Sequence, residues 1–250
     1  MFVGKIIAVA SGKGGTGKTT TVAAVSSCLA ALGYRTLCID FDAGMKNLDL
    51  SLCMADFTVA DYIDVLSGRL GLMEACHEHP RIPGLFFLAA PTVCKAEEPD
   101  VLEIQPLFTE IKNEFDYCVV DSPSGVGENF RLAHAGADMS IIVTNGELPA
   151  MRDAQRTVDA VRSLDVGELR LLVNRVLPKS FKRLRTTIDD VIDSVGVRLL
   201  GVVREDKAVL MSLHENIPLV LYDKRCAVYD FLDAARRIAG EDIPIRRWLL

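Results

Sequence analysis

The stretch GKGGTGKT, residues 12–19, decides how the rest of the chain is interpreted. It fits the pattern G-x-x-x-x-G-K-[ST], in which the glycines let the backbone approach a phosphate group closely. Successive backbone N–H groups and the N-terminus of the following helix supply partial positive charge. An apolar run, Lys5–Ala10, precedes this stretch, and a helix-length segment, Lys18–Leu32, follows it. This strand–loop–helix context predicts a phosphate-binding loop.

Two residues of the loop have roles that follow from the chemistry of the motif. The lysine, here Lys18, reaches the β- and γ-phosphates of a nucleotide, and the hydroxyl of the next residue, Thr19, ligates Mg²⁺. Asp121 ends another apolar run and is the natural second acid near that cation. A cap on the turn before Pro123 is the alternative role for this aspartate. The sequence therefore predicts binding of ATP and Mg²⁺, with the phosphates near Gly12, Lys13, Gly14, Gly15, Thr16, Gly17, Lys18, Thr19 and Thr20.

Apolar runs alternate with helix-length segments along the whole chain. The candidate strands are Lys5–Ala10, Thr36–Asp40, Leu85–Ala89, Tyr117–Asp121, Met139–Thr144, Leu169–Asn174 and Leu200–Val203. Nearly continuous apolar runs of this length are typical of parallel strands covered on both faces. The candidate helices are Lys18–Leu32, Val101–Phe115, Met151–Leu164, Leu184–Val195 and Cys226–Ala239. The pattern predicts a doubly wound, mostly parallel α/β sheet with helices on both faces, in one domain over residues 1–250.

Polar side chains follow the predicted strands at the points where the strands end. The phosphate-binding loop follows the first strand, Asp40–Asp42 closes the second, and Asp121–Pro123 closes a third. Asn145 and the pair 174–175 end two more. In open parallel sheets, ligands bind outside the carboxyl ends of the strands. We therefore expect these groups to surround a single nucleotide site.

The composition excludes several other classes of protein. The chain of 250 residues has a net charge of −6, which argues against nucleic acid as a partner held by bulk electrostatics. Its seven cysteines form no C-x-x-C pair and its four histidines lack zinc-ligand spacing, so we expect reduced thiols in a cytoplasmic protein. No apolar stretch approaches the ~18 residues that a transmembrane helix needs, and the run Ile6–Ala10 is too short for a signal peptide.

An additional lysine, Lys13, distinguishes this loop from an ordinary phosphate-binding loop. The segment KGGTGKTT, residues 13–20, resembles the deviant Walker A motif of the MinD/ParA family of ATPases, in which a lysine at this position is characteristic. Segments similar to the MinD branch of that family lie at residues 39–42, 47–50, 118–123, 144–147, 151–153 and 201–206. The similarity extends from the first strand to about Ile243. It implies a P-loop NTPase fold of the deviant Walker A class.

The resemblance also implies an ATP-dependent homodimer that holds two nucleotides between its subunits. Lys13 of each subunit would contact the phosphates bound by the other subunit; a solvated surface charge is the alternative. Asp42 would position the attacking water, so that the catalytic residues would be Lys13, Lys18 and Asp42. Asp40 would organise Mg²⁺ together with Thr19 and Asp121. The residues that match the adenine side of the site are Asn174, Arg175, Glu205 and Asp206.

The function implied by the resemblance is a Mg-ATP-dependent switch that positions cell division by reversible membrane association. Its implied partners are a MinC-like division inhibitor and a MinE-like or other topological regulator. The implied location is the cytoplasm, with peripheral binding to the inner face of the cell membrane in the ATP-bound state. Two alternatives within the family are a DNA-partitioning ATPase of the ParA type and a flagellar-number regulator. Iron–sulfur or electron-transfer members would need cysteine ligands that are missing here.

Three positions depart from the pattern expected for the MinD branch. Arg204 stands where proline is usual, in the loop beside the adenine, and Ala43 replaces a larger apolar residue. The composition of residues 126–129 also differs from the expected one. None of these changes removes a phosphate or Mg²⁺ group. They concern partner specificity and hydrolysis rate rather than nucleotide binding.

The end of the chain, residues 243–250, is a candidate amphipathic tail for an anionic membrane surface. Tryptophan beside arginine is typical of a membrane interface. Six residues after Pro244 make less than two helical turns, too few for an isolated helix in water, so a tail folded back on the core is the alternative. The basic run Lys179–Arg185 is a second candidate contact. The candidate membrane residues are Ile245, Arg246, Arg247, Trp248, Leu249 and Leu250.

Overall fold

A single sheet contains all the strands of the described residues. The computed structural model describes residues 3–42, 47–57, 60–91, 99–222 and 227–246. In chain order the strands are β1 (Lys5–Ala10), β2 (Thr36–Asp40), β3 (His77–Glu78), β4 (Leu85–Leu88), β5 (Tyr117–Asp121), β6 (Met139–Thr144), β7 (Glu168–Val176) and β8 (Leu199–Arg204). Their order across the sheet is β3–β4–β2–β5–β1–β6–β7–β8. Only the β3–β4 pair is antiparallel among these neighbours, so the predicted mostly parallel sheet is confirmed.

Helices connect the strands. They are α1 (Lys18–Ala31), α2 (Leu48–Leu52), α3 (Tyr62–Leu66), α4 (Leu72–Ala75), α5 (Val101–Glu114), α6 (Glu128–His134), α7 (Leu148–Arg162), α8 (Pro178–Leu184), α9 (Ile188–Val195), α10 (Lys207–His214), α11 (Leu219–Tyr222) and α12 (Ala227–Ile238). A 3-10 turn, Ala55–Phe57, follows α2.

The central strand β1 is apolar and buried from Ile6 to Ala10 because both of its faces are covered. Its side chains Ile7 and Val9 pack into the core beneath α1 and α12. The alternate residues Ile6 and Ala8 belong to the opposite core, which α5 covers. A strand with period-2 alternation of side chains can fill two cores only when every position is apolar. This packing places the end of β1, and the loop that follows it, at the centre of one sheet edge.

The predicted elements differ from the observed ones mainly where a cap or a short segment decides the boundary. The predicted helix Leu184–Val195 is wrong at its start, because the Thr187 side chain accepts the Asp190 N–H and begins α9 at Ile188. The preceding residues form the separate helix α8 after Pro178. The two-residue strand β3 and the short helices α2, α3 and α4 were not predicted, since none is long enough to show a periodic apolar pattern.

The five cysteines within the described residues are all free thiols, and four of them are buried. Burial raises the pKa of Cys28, Cys38 and Cys76 to about 12, which keeps them protonated. Among the described helices, none combines the length and the apolar character that a membrane crossing requires.

The last described residues, 241–246, are not helical and lie against α12. Arg237 donates from Nε to the Ile243 carbonyl oxygen at 2.7 Å and from Nη2 to that of Pro244 at 2.9 Å. Arg246 places its guanidinium on the Asp233 carboxylate, with N–O distances of 2.5 and 2.9 Å. As far as Arg246, the chain therefore folds back on the body of the protein. The predicted tail residues Arg247, Trp248, Leu249 and Leu250 lie outside the described residues, as does Ala43.

Candidate nucleotide-binding site

The loop between β1 and α1 has a conformation that depends on its glycines. Gly17 caps α1 with a φ of +92°, and a Cβ at this position would collide with the Asn174 side chain. Asn174 in turn donates from Nδ2 to the Thr16 carbonyl oxygen at 2.9 Å. Gly12 faces the backbone of Asp153 in α7, where a Cβ has no space. Gly17 is required for its backbone conformation, and both glycines are required because a neighbouring residue lies too close for a Cβ atom.

Lys18 is buried at the start of α1 and pairs with the acid that ends β5. Its Nζ lies 2.6 Å from Asp121 Oδ1, with side chains that are 7% and 0% exposed. Burial raises the pKa of Asp121, while the Lys18 ammonium and a hydrogen bond from Thr19 act in the opposite direction. The predicted phosphate lysine and two of the predicted Mg²⁺ ligands therefore form one contact group.

Asp40 completes an acidic pair next to this lysine. It ends β2 in register with Asp121 on the adjacent strand β5, and both are buried. Burial and, second, the charge of Asp121 raise the pKa of Asp40 from 3.8 to about 7, against the effect of the Asp42 N–H, which donates to Asp40 Oδ1 at 2.8 Å. Two buried carboxylates with one lysine leave an excess of negative charge, and a bound cation would compensate it.

The donor groups present here fit Mg²⁺. Asp121 Oδ2 is buried and has no hydrogen-bond partner among the described residues, an arrangement that is costly unless a further ligand or water is bound. Among the described residues, no group of three His, Cys, Asp or Glu side chains could enclose a metal ion alone. Mg²⁺ is typically held by one or two carboxylates with phosphate and water completing its shell. The predicted set of Thr19, Asp40 and Asp121 matches that requirement, and their role as ligands stays a prediction.

Beside this group lies a cleft of about 370 Å³, which is within the usual range for small-molecule sites. Of the predicted site residues, it is lined by Gly14, Gly15, Thr16, Gly17, Lys18, Thr19, Thr20, Asp42, Asn174, Arg175, Glu205 and Asp206. Arg204, which the sequence analysis placed beside the adenine, also lines it. The other lining residues were not predicted as site residues: Ser11, Asn47, Ser51, Ser124, Val203, Val209, Leu210 and Phe231. Ser11 could have been found from its place directly after β1, whereas residues of α2, α10 and α12 carry no local motif.

Arg175 connects the two ends of the cleft. Its Nη1 donates to the Gly15 carbonyl oxygen at 3.1 Å, and its Nε lies 2.8 Å from Glu205 Oε2. Arg175 has a left-handed φ of +56°, uncommon for a residue with a side chain. The phosphate-binding loop is thus tied to the loop after β8, where the adenine-side residues are predicted.

Lys13 lies apart from this buried group. Its Nζ pairs with Glu147 Oε2 at 3.0 Å, and both side chains are exposed. This hydrogen bond holds the pKa of Glu147 below its usual value. Glu147 directly precedes α7, and no role was predicted for it from the sequence. The two lysines of one loop therefore have different settings, one buried on Asp121 and the other at the surface.

The raised pKa of Asp40 has a measurable consequence for stability. Between about pH 4 and 7, Asp40 is protonated in the folded protein and ionised in the unfolded chain. Its contribution to the free energy of unfolding therefore falls as the pH rises through that range. Asn does not ionise, so Asp40→Asn removes the raised pKa. Measured in EDTA without nucleotide, this variant should have a higher free energy of unfolding at pH 8, by roughly 1.4 kcal/mol for each unit by which the pKa of Asp40 is raised. The variant should also show a smaller dependence of the free energy of unfolding on pH between pH 4 and 7. The exposed Asp189→Asn is the matched control, and an equal effect in both variants would contradict the assignment.

The chain shares its fold and its loop with known nucleotide-binding proteins. Residues 7–219 match the family model described as the CobQ/CobB/MinD/ParA nucleotide binding domain. The match covers most of the chain, and the chain belongs to this family, whose MinD/ParA branch consists of ATPases.

Within the family, the chain is similar to proteins named septum site-determining protein MinD. It is 36% identical to that of Synechocystis sp. over 96% of this chain and 91% of the relative. For Bacillus subtilis the identity is 35% over 98% and 92%. The solved MinC:MinD cell division protein complex of Aquifex aeolicus matches with a TM-score of 0.90 at 34% identity, covering 97% of this chain and 98% of that one. MinD of Pyrococcus horikoshii complexed with Mg-ADP matches with a TM-score of 0.81 at 26% identity, covering 96% and 99%.

Proposed function

We propose that this protein is a MinD-type, Mg-ATP-dependent ATPase that dimerises when ATP is bound and places the division site through reversible membrane association. The observation that carries the proposal is the different setting of the two loop lysines. Lys18 is buried beside the acidic pair, whereas Lys13 is exposed and pairs with Glu147 at the surface. Full-length similarity to septum site-determining proteins supports the cellular role.

The residues of one chain suffice to bind a nucleotide. Backbone N–H groups from Gly14 to Thr19 and the N-terminus of α1 attract the phosphates. Lys18 would exchange its contact with Asp121 for the phosphates, and Mg²⁺, when bound, would neutralise charge between the phosphates and the two carboxylates. Asp121 Oδ2, which has no hydrogen-bond partner among the described residues, is then available to the shell of the cation.

Hydrolysis needs two further groups. Asp42 lines the same cleft as Lys18 of its own chain and is suited to orient a water molecule for attack. Lys13 is not a lining residue of that cleft, and its exposed side chain is free to meet the phosphates held by a second copy of the chain. Phosphoryl transfer depends on positioning and charge neutralisation, so a cation delivered on dimerisation would couple hydrolysis to assembly.

The proposed partners follow from the relatives. The Aquifex aeolicus neighbour is a complex of MinC with MinD, which supports a MinC-like division inhibitor as a partner of this chain. A MinE-like or other regulator would be needed to stimulate hydrolysis and reset the switch.

The membrane part of the proposal is tested by removing the tail. Deletion of residues 247–250, which keeps Arg246 and its contact with Asp233, should leave ATP binding unchanged and release the ATP-bound protein from anionic liposomes, because the apolar tail residues would be lost. The measurement is co-sedimentation with liposomes and, separately, with DNA, each with and without ATP. Neutralising the basic run by Lys179→Gln, Lys182→Gln and Arg183→Gln is the matched control.

The outcomes separate the alternatives. Sedimentation of the truncated chain with liposomes at the level of the intact one would contradict attachment by the tail. ATP-dependent sedimentation of the intact chain with DNA, but not with liposomes, would favour a partitioning ATPase of the ParA type instead.

A further inference from the structure

Helix α12 contacts both the nucleotide cleft and the segment that leads into the tail. Phe231 of this helix lines the cleft, and the helix packs on β8, whose end forms part of the same wall. At the start of α12, the Ala227 N–H donates to Asp206 Oδ2 at 3.1 Å, which fixes the helix to the loop after β8. Toward its other end, Asp233 and Arg237 hold residues 243–246. Helix α12 therefore contacts both the predicted nucleotide site and the start of the predicted membrane tail.

On the cleft side, the contact is between Asp230 and Arg204. The Arg204 guanidinium donates from Nε and Nη2 to the two carboxylate oxygens of Asp230, each at 2.8 Å, and the Arg204 backbone N–H lies 3.2 Å from Oδ2. Asp230 has a side chain that is only 1% exposed. A carboxylate this deeply buried has no water to replace an arginine, so loss of its partner is costly. Arg204 lines the cleft and is held in one orientation by this paired contact.

On the tail side, the contact is between the same carboxylate and Arg246. Arg246 Nε lies 3.8 Å from Asp230 Oδ1, in addition to its closer contacts with Asp233. The guanidinium carbon of Arg246 lies 5.3 Å from the ring centre of Tyr229, one position before Asp230. Asp230 is thus shared between an arginine of the cleft wall and an arginine of the docked segment.

We propose that Asp230 couples occupancy of the nucleotide cleft to docking of the C-terminal segment. The proposal rests on nucleotide binding as proposed above and adds a regulatory link to it. A nucleoside that packs against Arg204 in its paired orientation stabilises the Arg204–Asp230 contact relative to states in which that contact is broken, and the fixed Asp230 carboxylate in turn favours docked Arg246. Nucleotide then tightens the docking of residues 243–246 on α12. By linkage, release of the docked segment weakens nucleotide binding by the same factor.

The coupling acts through the nucleoside and not through the phosphates. The phosphate-binding loop follows β1, whereas Arg204 ends β8, three strands further along the sheet. At about 4.8 Å between neighbouring strands, that separation is roughly 14 Å. Mg-pyrophosphate on the loop therefore makes no direct contact with Arg204, whereas Mg-ADP carries a nucleoside into the cleft. The two probes have the same number of phosphates, and neither supplies a γ-phosphate.

Trypsin cleavage after Arg246 and Arg247 in the full chain measures docking directly. The released peptide contains the only tryptophan of the protein. The rate of cleavage is therefore measured from the tryptophan fluorescence of the peptide after it is separated by chromatography. We expect saturating Mg-ADP to slow this cleavage at least about fivefold and Mg-pyrophosphate to leave it unchanged. Calorimetry should show the reciprocal effect, with Arg246→Gln weakening Mg-ADP binding by the same factor and Mg-pyrophosphate binding not at all.

Two variants identify the shared carboxylate. Asp230→Asn should abolish the protection by Mg-ADP. Arg204→Gln, whose amide can still donate to Asp230 and which keeps the Asp233–Arg246 pair, should do the same, and far-UV circular dichroism shows that each variant is folded. The exposed Asp189→Asn is the matched control and should keep full protection. Equal protection by both probes, or protection that persists in Arg204→Gln, would overturn the coupling. Binding of Mg-ADP without any protection would overturn it as well, whereas no binding of Mg-ADP would contradict the proposed function itself.

Discussion

Lys18→Ala should lower the affinity for Mg-ATP by at least about 100-fold, because a buried ammonium that meets phosphate contributes several kcal/mol. In the structure this ammonium is 2.6 Å from Asp121 and largely excluded from water. Without it, the nucleotide phosphates would face the carboxylates of Asp40 and Asp121 with no cation of the protein between them. Calorimetric titration with Mg-ATP measures the loss, and the titration should show no heat above dilution at micromolar protein.

Lys18→Ala also removes the ion-pair partner of the buried Asp121. The effect of the substitution on nucleotide binding must therefore be distinguished from its effect on folding. Lys5→Ala is the matched control, because Lys5 begins β1, at the end of the strand away from the phosphate-binding loop, and pairs with the partly exposed Glu168 at 3.4 Å. It should bind Mg-ATP as the unchanged chain does. Far-UV circular dichroism should show the fold in both variants. A folded Lys18→Ala chain with near-normal affinity would contradict the assignment of the phosphate-binding loop.

The fold could be predicted from the sequence because its strands are buried on both faces. The runs Lys5–Ala10, Thr36–Asp40, Tyr117–Asp121 and Met139–Thr144 have the predicted bounds, since each ends where a polar site residue begins. The strand β7 is longer than predicted at both ends, because its edge positions carry charged residues that an apolar pattern does not include.

The site was predictable where a motif fixes the chemistry and unpredictable where distant elements meet. The loop and the two acids have local signals in the sequence. The contact of Lys13 with Glu147 joins residues 134 positions apart, and that of Arg204 with Asp230 joins residues 26 positions apart. Neither spacing belongs to one element, so only the packing of α7 and α12 on the sheet reveals them. Arg204 was noticed as a departure from the expected proline, but its partner was not.

Lys13→Ala should bind ATP as a monomer with nearly unchanged affinity, fail to dimerise and lose turnover by about 1000-fold, as does an enzyme that lacks a cation delivered in trans. The physical reason is that Lys13 contacts Glu147 at the surface and takes no part in the Lys18–Asp121 group. Charge neutralisation of the phosphates would be completed only by the second subunit. Light scattering with Mg-ATP should give a mass near 27.3 kDa for this variant and twice that for the unchanged chain.

Asp42→Ala should impair hydrolysis without impairing dimerisation. Positioning of water is a task of the transition state, so this variant should keep ATP binding and dimerisation and lose kcat. Asp42 lines the cleft of its own chain, which places it in cis with Lys18. Lys5→Ala serves again as the control for loss of an ion-paired lysine and should retain full turnover and dimerisation.

Mixing the two inactive chains, Lys13→Ala and Asp42→Ala, and measuring phosphate release tests the trans-acting lysine most directly. In a mixed dimer, the nucleotide bound by the Lys13→Ala chain has its own Asp42 and receives Lys13 from the other chain, so this site is complete. A mixed dimer has one complete site of two, so the account predicts recovery of up to about a quarter of the unchanged turnover per chain when half of the dimers are mixed, and an excess of the Lys13→Ala chain raises the mixed fraction among dimers. If Lys13 instead served the nucleotide of its own chain, neither site would be complete. Absence of recovery at every mixing ratio would therefore contradict the account.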